Sequence, residues 1–143
     1  MDSPQKQRRI PAMRSHRRMR NSGEWRACRF LRESGHSVIA HNFRTARTEL
    51  DLISLEWDQE LCLHFVEVKS QIHSWKHPLS SQHRLRRHKT RKAARAFLIE
   101  YVSYLDLSGH KALASELNEL DSAMSFDLIW VKRDGLEYFP SIF

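Results

Sequence analysis

The chain has 143 residues, a length at which one domain is the default, because two domains would each be small for an independent core. With 41% hydrophobic and 29% charged residues, and only four Gly and four Pro, the composition is globular and excludes disordered and fibrous classes. The net charge of +7 favours an anionic partner, either a nucleic acid or a membrane surface.

Neither a membrane span nor a secretory signal is visible in the sequence. No window approaches the ~18 consecutive apolar residues of a spanning helix, and the N-terminus lacks a short apolar core. We therefore expect a soluble cytoplasmic protein. Basic segments around a remainder that includes the candidate metal-binding acids favour a nucleic acid, with no membrane partner. Cys28 and Cys62 stand singly without C-x-x-C spacing, which predicts buried free thiols rather than a disulfide framework or a cysteine zinc site.

The positive charge is concentrated in two segments. Residues 1–20 carry seven Lys and Arg against one acid, and residues 76–95 carry eight without any acid. The first segment also has two prolines and a weak apolar pattern, which predicts a disordered basic tail ahead of a single domain over residues 21–143. An organelle transit peptide or an over-long gene start has the same composition as this tail.

The first predicted element is a helix over residues 22–34, which Gly35 ends. Helical spacing places Glu24 on the apolar face of this helix. That face also holds Ala27, Cys28 and Leu31. A carboxylate that faces a core is costly unless something binds it. Alternatively, Glu24 lies in the first turn, where the helix dipole favours a carboxylate and the side chain reaches water.

Three strands are predicted next. Residues 37–40 form the first strand, and a loop through His41, Asn42 and Arg44 leads to the second over residues 49–55. The third covers residues 61–70, and the short connection makes the second and third strands an antiparallel hairpin. Alternation predicts Ile53 and Leu55 on one face of the second strand, with Leu50 and Leu52 on the other.

This hairpin carries the candidate chemistry. Glu49 and Asp51 lie in its first strand, and Glu67 and Lys69 in its second, on faces that are otherwise apolar. Carboxylate oxygens are the ligands that Mg²⁺ prefers, and a nearby ammonium can orient water or stabilise developing charge. The alternative is an ordinary ion pair of Lys69 with Glu67 or Asp51 in a sheet edge.

A basic helix is predicted over residues 82–104. Four arginines recur at helical spacing and form a stripe along one side: Arg84, Arg87, Arg91 and Arg95. Lys92 lies beside this arginine stripe. The apolar side, which we expect to pack on the sheet, comprises Ala94, Phe97, Tyr101 and Leu105. A solvated face is the ordinary interpretation of such a stripe, but eight bases without an acid favour a phosphate backbone. The histidines at 73, 77, 83 and 88 predict a loop and the helix start rather than zinc, since no acid or Cys lies near them.

The remaining elements complete an α/β pattern. A short helix is predicted around residues 113–120 and a buried strand over residues 125–131. Asp134 and Gly135 then mark a hairpin turn into a last strand over residues 136–139. The core order is therefore helix, three strands, helix and strand.

An ordered set of motifs resembles the YraN-like family of bacterial proteins over residues 22–143. The matching blocks are Gly23-Glu24, Glu49-Leu-Asp-Leu-Ile, Phe65-Val-Glu-Val-Lys, Arg91-Lys92-Ala93-Ala94 and Phe126-Asp127-Leu128-Ile129. That family is assigned to the restriction-endonuclease-like fold with the PD-(D/E)XK nuclease signature, and it is similar to archaeal Holliday-junction resolvases. The resemblance implies an α/β fold with a restriction-endonuclease-like core, in which helices flank a mixed sheet.

The resemblance also implies roles for the hairpin residues. Asp51 is the first metal-binding acid, Glu67 the second and Lys69 the catalytic lysine. Glu24 is the helix acid found near the metals in the resolvase-like branch, so it is expected to take part both in metal binding and in catalysis. Glu49 lies two residues from Asp51 on the same strand face, and this position predicts a helper metal ligand. The implied cofactor is Mg²⁺, with Mn²⁺ as a substitute. Two residues depart from the family pattern: Thr48 replaces a Gly, and Gln71 replaces an Arg that suits phosphate.

Together these features predict a metal-dependent nuclease that hydrolyses DNA phosphodiesters, with branched or junction DNA as a candidate substrate, in repair or recombination. A junction resolvase needs two active sites, so a homodimer is expected in that case. One alternative is a nucleic-acid-binding module that keeps the fold but does little or no cleavage. Another is a protein that binds structured RNA.

Overall fold

The computed structural model describes residues 10–13, 22–57, 60–70, 83–119 and 124–143, and for residues 83–86 it describes the backbone only. The elements, in chain order, are α1 (Ser22–Glu33), β1 (Ser37–Arg44), β2 (Glu49–Trp57), β3 (Leu61–Ser70), α2 (His83–Leu107), α3 (Lys111–Asn118), β4 (Met124–Val131) and β5 (Leu136–Phe139).

The five strands form one mixed sheet in the order β1-β2-β3-β4-β5. All neighbours are antiparallel except β3 and β4, which are parallel. Parallel neighbours need a long crossover, and α2 with α3 lies in the connection between them. The structure confirms the predicted α/β architecture, a mixed sheet flanked by helices that is consistent with a restriction-endonuclease-like core.

Each face of the sheet has its own apolar cluster. On one side, which we call the α2 face, the four predicted apolar residues of α2 are fully buried against residues such as Ile53 and Phe65. On the other side, the α1 face, Ala27, Cys28 and Leu31 pack against a cluster that contains Leu52 and Val66. Alternate residues of β2 and β3 therefore project into two different environments.

The longest described helix, α2, spans 25 residues and extends three residues beyond its predicted end. Four of its predicted basic residues, Arg87, Arg91, Lys92 and Arg95, are exposed. Among the helices of the described ranges, none is long and apolar enough to cross a membrane.

The first strand is longer than predicted. β1 continues through His41 and Asn42 to Arg44, where the sequence indicated a loop. Asn42 has a left-handed φ of 50°, which Asn tolerates better than most residues, and the strand resumes with Phe43 buried opposite Leu50. Because His41 and Asn42 are polar and the backbone is irregular at Asn42, the apolar pattern predicted that the strand ends too early.

The predicted face of Leu50 is also wrong. Leu50 packs in the same cluster as Ile53, on the α2 face, although strict alternation placed it with Leu52. Leu50 and Leu52 pack in different clusters although they are two residues apart, so β2 departs from strict alternation at Asp51.

Part of the N-terminal segment lies against the core. The Met13 N–H donates a hydrogen bond to the Ile39 carbonyl at 2.8 Å, and the Tyr101 hydroxyl donates one to the Pro11 carbonyl at 2.7 Å. Ile10 and Met13 pack on the α2 cluster. Residues 10–13 of the predicted tail are thus attached to the domain, and the rest of that tail lies outside the described residues.

Both cysteines are free thiols, as predicted, but they differ in burial. Cys28 is fully buried in the α1 cluster, and burial raises the pKa of its thiol. Cys62 is only half-buried, which corrects the expectation that both are buried. Cys62 lies opposite Glu56 in the register of β2 and β3, near polar groups rather than within the apolar cluster.

Candidate active site

A cleft of about 470 Å³ opens on the α2 side of the hairpin formed by β2 and β3. Its lining includes the predicted acids of both strands, two residues of α2 and the end of the chain. The residues that matter for the site are Glu49, Asp51, Glu67, Lys69, Lys89, Thr90, Phe126 and Phe143.

The surroundings of Asp51 change its acidity. Asp51 precedes Leu52, which pairs with Val66, and Glu67 follows Val66, so both acids lie directly beyond the paired region of β2 and β3. The Val68 N–H donates a hydrogen bond to Asp51 Oδ2 at 2.8 Å. Burial raises the pKa of Asp51 to about 6, repulsion from Glu67 and two further acids adds to this, and the Val68 hydrogen bond opposes it.

Glu67 and Lys69 form an ion pair beside Asp51. Lys69 Nζ lies 3.2 Å from Glu67 Oε1, and the two side chains are 37% and 34% exposed. The ion pair considered from the sequence is therefore present. Exposed pairs contribute little to stability, so both groups can exchange this contact for a metal or a phosphate at small cost.

The other two predicted acids, Glu24 and Glu49, lie on different elements near Asp51. Glu24 is half-buried on α1, where it accepts a hydrogen bond from Asn42 Nδ2 at 3.4 Å. Glu49 lines the cleft and pairs with Arg44 at 3.1 Å. Both are close enough to raise the pKa of Asp51. Glu24 does not line the cleft itself, so it is placed to influence the site rather than to form its wall.

The donor set of this site fits a hard divalent cation. Asp51 and Glu67 offer carboxylate oxygens on neighbouring strands, and Mg²⁺ binds through one or two carboxylates while keeping several waters. Burial raises the pKa of Asp51, and repulsion from Glu67, Glu24 and Glu49 adds to the rise. A divalent cation there would relieve that repulsion, and Glu49 and Glu24 would support it.

The predicted basic side chains lie along the exposed side of α2. Arg87, Arg91, Lys92 and Arg95 are all exposed. The Arg87 guanidinium lies 5.3 Å from the centre of the Phe143 ring, and that of Arg91 lies 5.9 Å from the centre of the Phe126 ring. These two rings line the cleft, so the basic stripe runs beside it. The side chain of Arg84 lies outside the described residues.

Sequence reasoning missed two cleft residues of α2. Lys89 and Thr90 line the cleft opposite the hairpin, although neither belongs to the arginine stripe. The sequence feature that could have identified them is their position in the acid-free segment that follows the third strand. Their approach to the cleft depends on how α2 lies on the sheet, which the spacing of arginines does not specify.

The model of the uncharacterised protein family UPF0102 matches residues 23–131, which is most of the chain. This chain belongs to UPF0102. A UPF0102 protein of Campylobacter concisus is 28% identical over 121 residues, which cover 85% of this chain and 89% of the relative. One from Chlorobium phaeobacteroides is 37% identical over 82 residues, covering 57% and 63% of the two chains.

A UPF0102 protein of Cytophaga hutchinsonii is 38% identical over 53 residues, or 37% of this chain and 44% of the relative. The predicted resemblance to the YraN-like family is thus confirmed. The matched range contains Glu24, Glu49, Asp51, Glu67 and Lys69. The descriptions of the UPF0102 family and these relatives state no activity, so the function must be argued from the site.

Proposed function

We propose that this UPF0102 protein is a metal-dependent nuclease that hydrolyses DNA phosphodiesters, with branched or junction DNA as its substrate, in repair or recombination. The observation that carries the proposal is the position of Asp51 and Glu67 on neighbouring strands, with Lys69 beside them, in one cleft. The raised pKa of Asp51 supports a site that gains by binding a cation. The resemblance in fold and motifs supports the same reaction class.

In the proposed mechanism, Asp51 and Glu67 hold Mg²⁺, or Mn²⁺ in its place. An ion held there would supply neutralisation of phosphate charge and a lower pKa for a bound water. Lys69 leaves Glu67 to orient the attacking water and to stabilise the charge that develops on the phosphate. Glu49 and Glu24 would support the hydration shell of that ion or a second ion.

The basic side chains of α2 position the DNA in this proposal. Lys89 lines the cleft, where it reaches a phosphate next to the reacting one. Arg87, Arg91, Lys92 and Arg95 continue the positive surface away from it, and contacts of this kind fix a register without reading sequence. Hydrolysis at a junction requires two cuts, so we propose that the protein acts as a homodimer.

The departure at Thr48 does not weaken the site. Among the described residues, the only positive φ angles outside glycine belong to Asn42 and Ser141, so the backbone at Thr48 does not require a Gly. Thr48 instead closes the turn between β1 and β2, because the Thr45 N–H donates a hydrogen bond to its carbonyl at 2.8 Å. The other departure, Gln71, lies outside the described residues.

Cleavage of defined DNA substrates tests the proposal. Purified protein is incubated with labelled linear, flapped and four-way-junction DNA, in Mg²⁺, in Mn²⁺ and in chelator. Glu67→Gln and Lys69→Ala are compared with Glu100→Gln, which removes an exposed acid of α2. We expect metal-dependent cleavage of the branched substrates, a loss of about 10²-fold or more in both site variants, and full activity in the control.

Two outcomes contradict the proposal. If no DNA is cut in any metal while binding persists, the protein is a nucleic-acid-binding module with a nuclease fold. If cleavage is the same in Glu67→Gln and Lys69→Ala as in the wild type, the activity belongs to a contaminating nuclease.

A further inference from the structure

A second group of polar side chains lies on the α1 face of the sheet. His36 follows α1, Glu56 is near the end of β2, and His64 is in β3. One ligand atom from each of the three lies within 4.8 Å of the other two. His36 Nε2 is 3.3 Å from Glu56 Oε2, and His64 Nε2 is 3.0 Å from Glu56 Oε1. Two imidazoles therefore face one carboxylate.

The opposite ring nitrogen of each histidine is held by a buried oxygen. His36 Nδ1 lies 2.8 Å from Ser54 Oγ, and His64 Nδ1 lies 2.6 Å from Asp127 Oδ2. Histidines that bind metals commonly engage their second nitrogen in this way, because the outer partner fixes the ring orientation and the tautomer. Both rings are thus oriented with Nε2 toward Glu56.

Asp127 is itself fixed by several donors. Its Oδ1 accepts hydrogen bonds from the Ser125 hydroxyl at 2.6 Å and from the Ser141 N–H at 3.0 Å, and the Tyr138 hydroxyl donates to Oδ2. The side chain of Asp127 is fully buried, and that of His64 is only 8% exposed. The deep side of the cluster is therefore a rigid support for the His64 ring.

The cluster has one open side. The Glu56 side chain is 36% exposed, whereas the His36 side chain is only 5% exposed. Cys62 lies opposite Glu56 in the strand register, so its thiol projects from the same face. An ion can therefore reach the cluster past Glu56. The open side is bordered by the Glu56 carboxylate and the Cys62 thiol.

We propose that His36, Glu56 and His64 form a transition-metal site that binds Zn²⁺. Two imidazoles and one carboxylate are a known donor set of three-ligand zinc sites, which leave a fourth position open. Tetrahedral Zn²⁺ with bonds of ~2.0–2.1 Å separates its ligand atoms by about 3.3 Å. Each ring nitrogen lies near that spacing from one oxygen of Glu56, His36 Nε2 at 3.3 Å from Oε2 and His64 Nε2 at 3.0 Å from Oε1.

The ligands of this site differ from those of the candidate active site, although Asp127, the outer partner of His64, also lines the cleft. The proposed zinc ligands project from the α1 face, whereas Asp51 and Glu67 line the cleft on the other side, and the two groups share no ligand. Nitrogen donors favour Zn²⁺ over Mg²⁺, which prefers oxygen. By joining the connection between α1 and β1 to β2 and β3, the ion stabilises the sheet independently of any nuclease activity.

Direct metal binding to the full chain tests the proposal. The protein is stripped with chelator and titrated with Co²⁺, followed by visible absorption, and with Zn²⁺, followed by calorimetry. We expect one tightly bound ion with the intense Co²⁺ bands of a tetrahedral site, no displacement by excess Mg²⁺, and a higher Tm with Zn²⁺ because the ligand binds only the folded state.

Matched variants locate the ion. Glu56→Gln at the open rim weakens Zn²⁺ binding by more than ~100-fold, and Ser54→Ala, which removes only the outer partner of His36, weakens it by about 10- to 100-fold. His110→Asn removes an exposed histidine before α3 and leaves binding unchanged. Asp51→Asn also keeps full Zn²⁺ affinity, so the outcome does not depend on the proposed nuclease site. Circular dichroism confirms that each variant is folded.

Two results overturn the proposal. If no Zn²⁺ binds, the cluster is an ion-pair network. Burial alone would lower the pKa of His64, but its interactions, of which the hydrogen bond to Asp127 is the strongest, raise the pKa to about 10. If binding is lost in Asp51→Asn and retained in Glu56→Gln, the ion occupies the acidic cleft instead.

Discussion

Replacing Asp51 with Asn is expected to stabilise the protein near neutral pH while it removes a proposed metal ligand. Asp51 lies among three other acids and is largely removed from water, so its ionised form is disfavoured. Asn has the same shape but no charge, and its carbonyl oxygen still accepts the hydrogen bond from the Val68 N–H. The substitution thus isolates the cost of the charge.

The size of the effect follows from the pKa of Asp51. Its ordinary value is 3.8, and the folded protein raises it to about 6. A pKa difference of about two corresponds to ~3 kcal/mol. Below pH ~4 the carboxyl is protonated in both the folded and unfolded chains, so it costs nothing. Above pH ~6 it is ionised in both, and the full cost lowers the free energy of unfolding.

Urea unfolding of the wild type and Asp51→Asn at several pH values from about 4 to 8 measures this cost. We expect the stability advantage of Asp51→Asn to grow by up to ~3 kcal/mol as the pH rises through the window from about 4 to 6. At pH ~7.5, Mg²⁺ should raise the stability of the wild type but not of the variant. Glu100→Gln serves as the exposed control and should show no such pH dependence.

A difference between wild type and Asp51→Asn that stays constant over this pH range would refute the reasoning. It would mean that the folded protein does not disfavour the ionised carboxylate of Asp51. A stabilising effect of Mg²⁺ on Asp51→Asn equal to that on the wild type would refute its role as a metal ligand.

Three further predictions concern the core, the irregular strand and the basic tail. Phe97→Ala should cost ~3–5 kcal/mol in urea unfolding, since this fully buried ring contacts Phe43 edge-on, and a cost below ~1 kcal/mol would exclude its place in the core. Asn42→Ala should cost ~1–2 kcal/mol because Ala disfavours a φ of 50°, and Asn42→Gly should recover most of this; equal losses in both would show that φ is not the cause. Deleting residues 1–9, which removes three bases but keeps residues 10–13, should reduce the salt dependence of DNA binding, and an unchanged slope would exclude phosphate contacts from that segment.

The hairpin and its acids were predictable because the information is local. Period-two alternation within two adjacent segments placed Asp51 and Glu67 on neighbouring strands, and a short connection has to pair those strands. The helical spacing of Phe97 and Tyr101 likewise identified the buried side of α2. In each case the pattern of a single element, or of one hairpin, was sufficient.

The features that were missed depend on contacts between distant segments. His36, Glu56, His64 and Asp127 belong to four different parts of the chain, and only the strand register brings their side chains together. The approach of Lys89 to the cleft depends on how α2 lies across the sheet. Such placements follow from packing, for which a single sequence has no periodic signal.

Single-turnover cleavage of a four-way junction tests the central claim most directly. The rate is measured in Mg²⁺ with enzyme in excess for the wild type, Glu67→Gln and Lys69→Ala, and junction affinity is measured separately in Ca²⁺ or chelator. The account predicts that both variants bind the junction as the wild type does but cleave it about 10²-fold more slowly or worse. Equal cleavage rates in all three proteins, or no cleavage by the wild type, would contradict it.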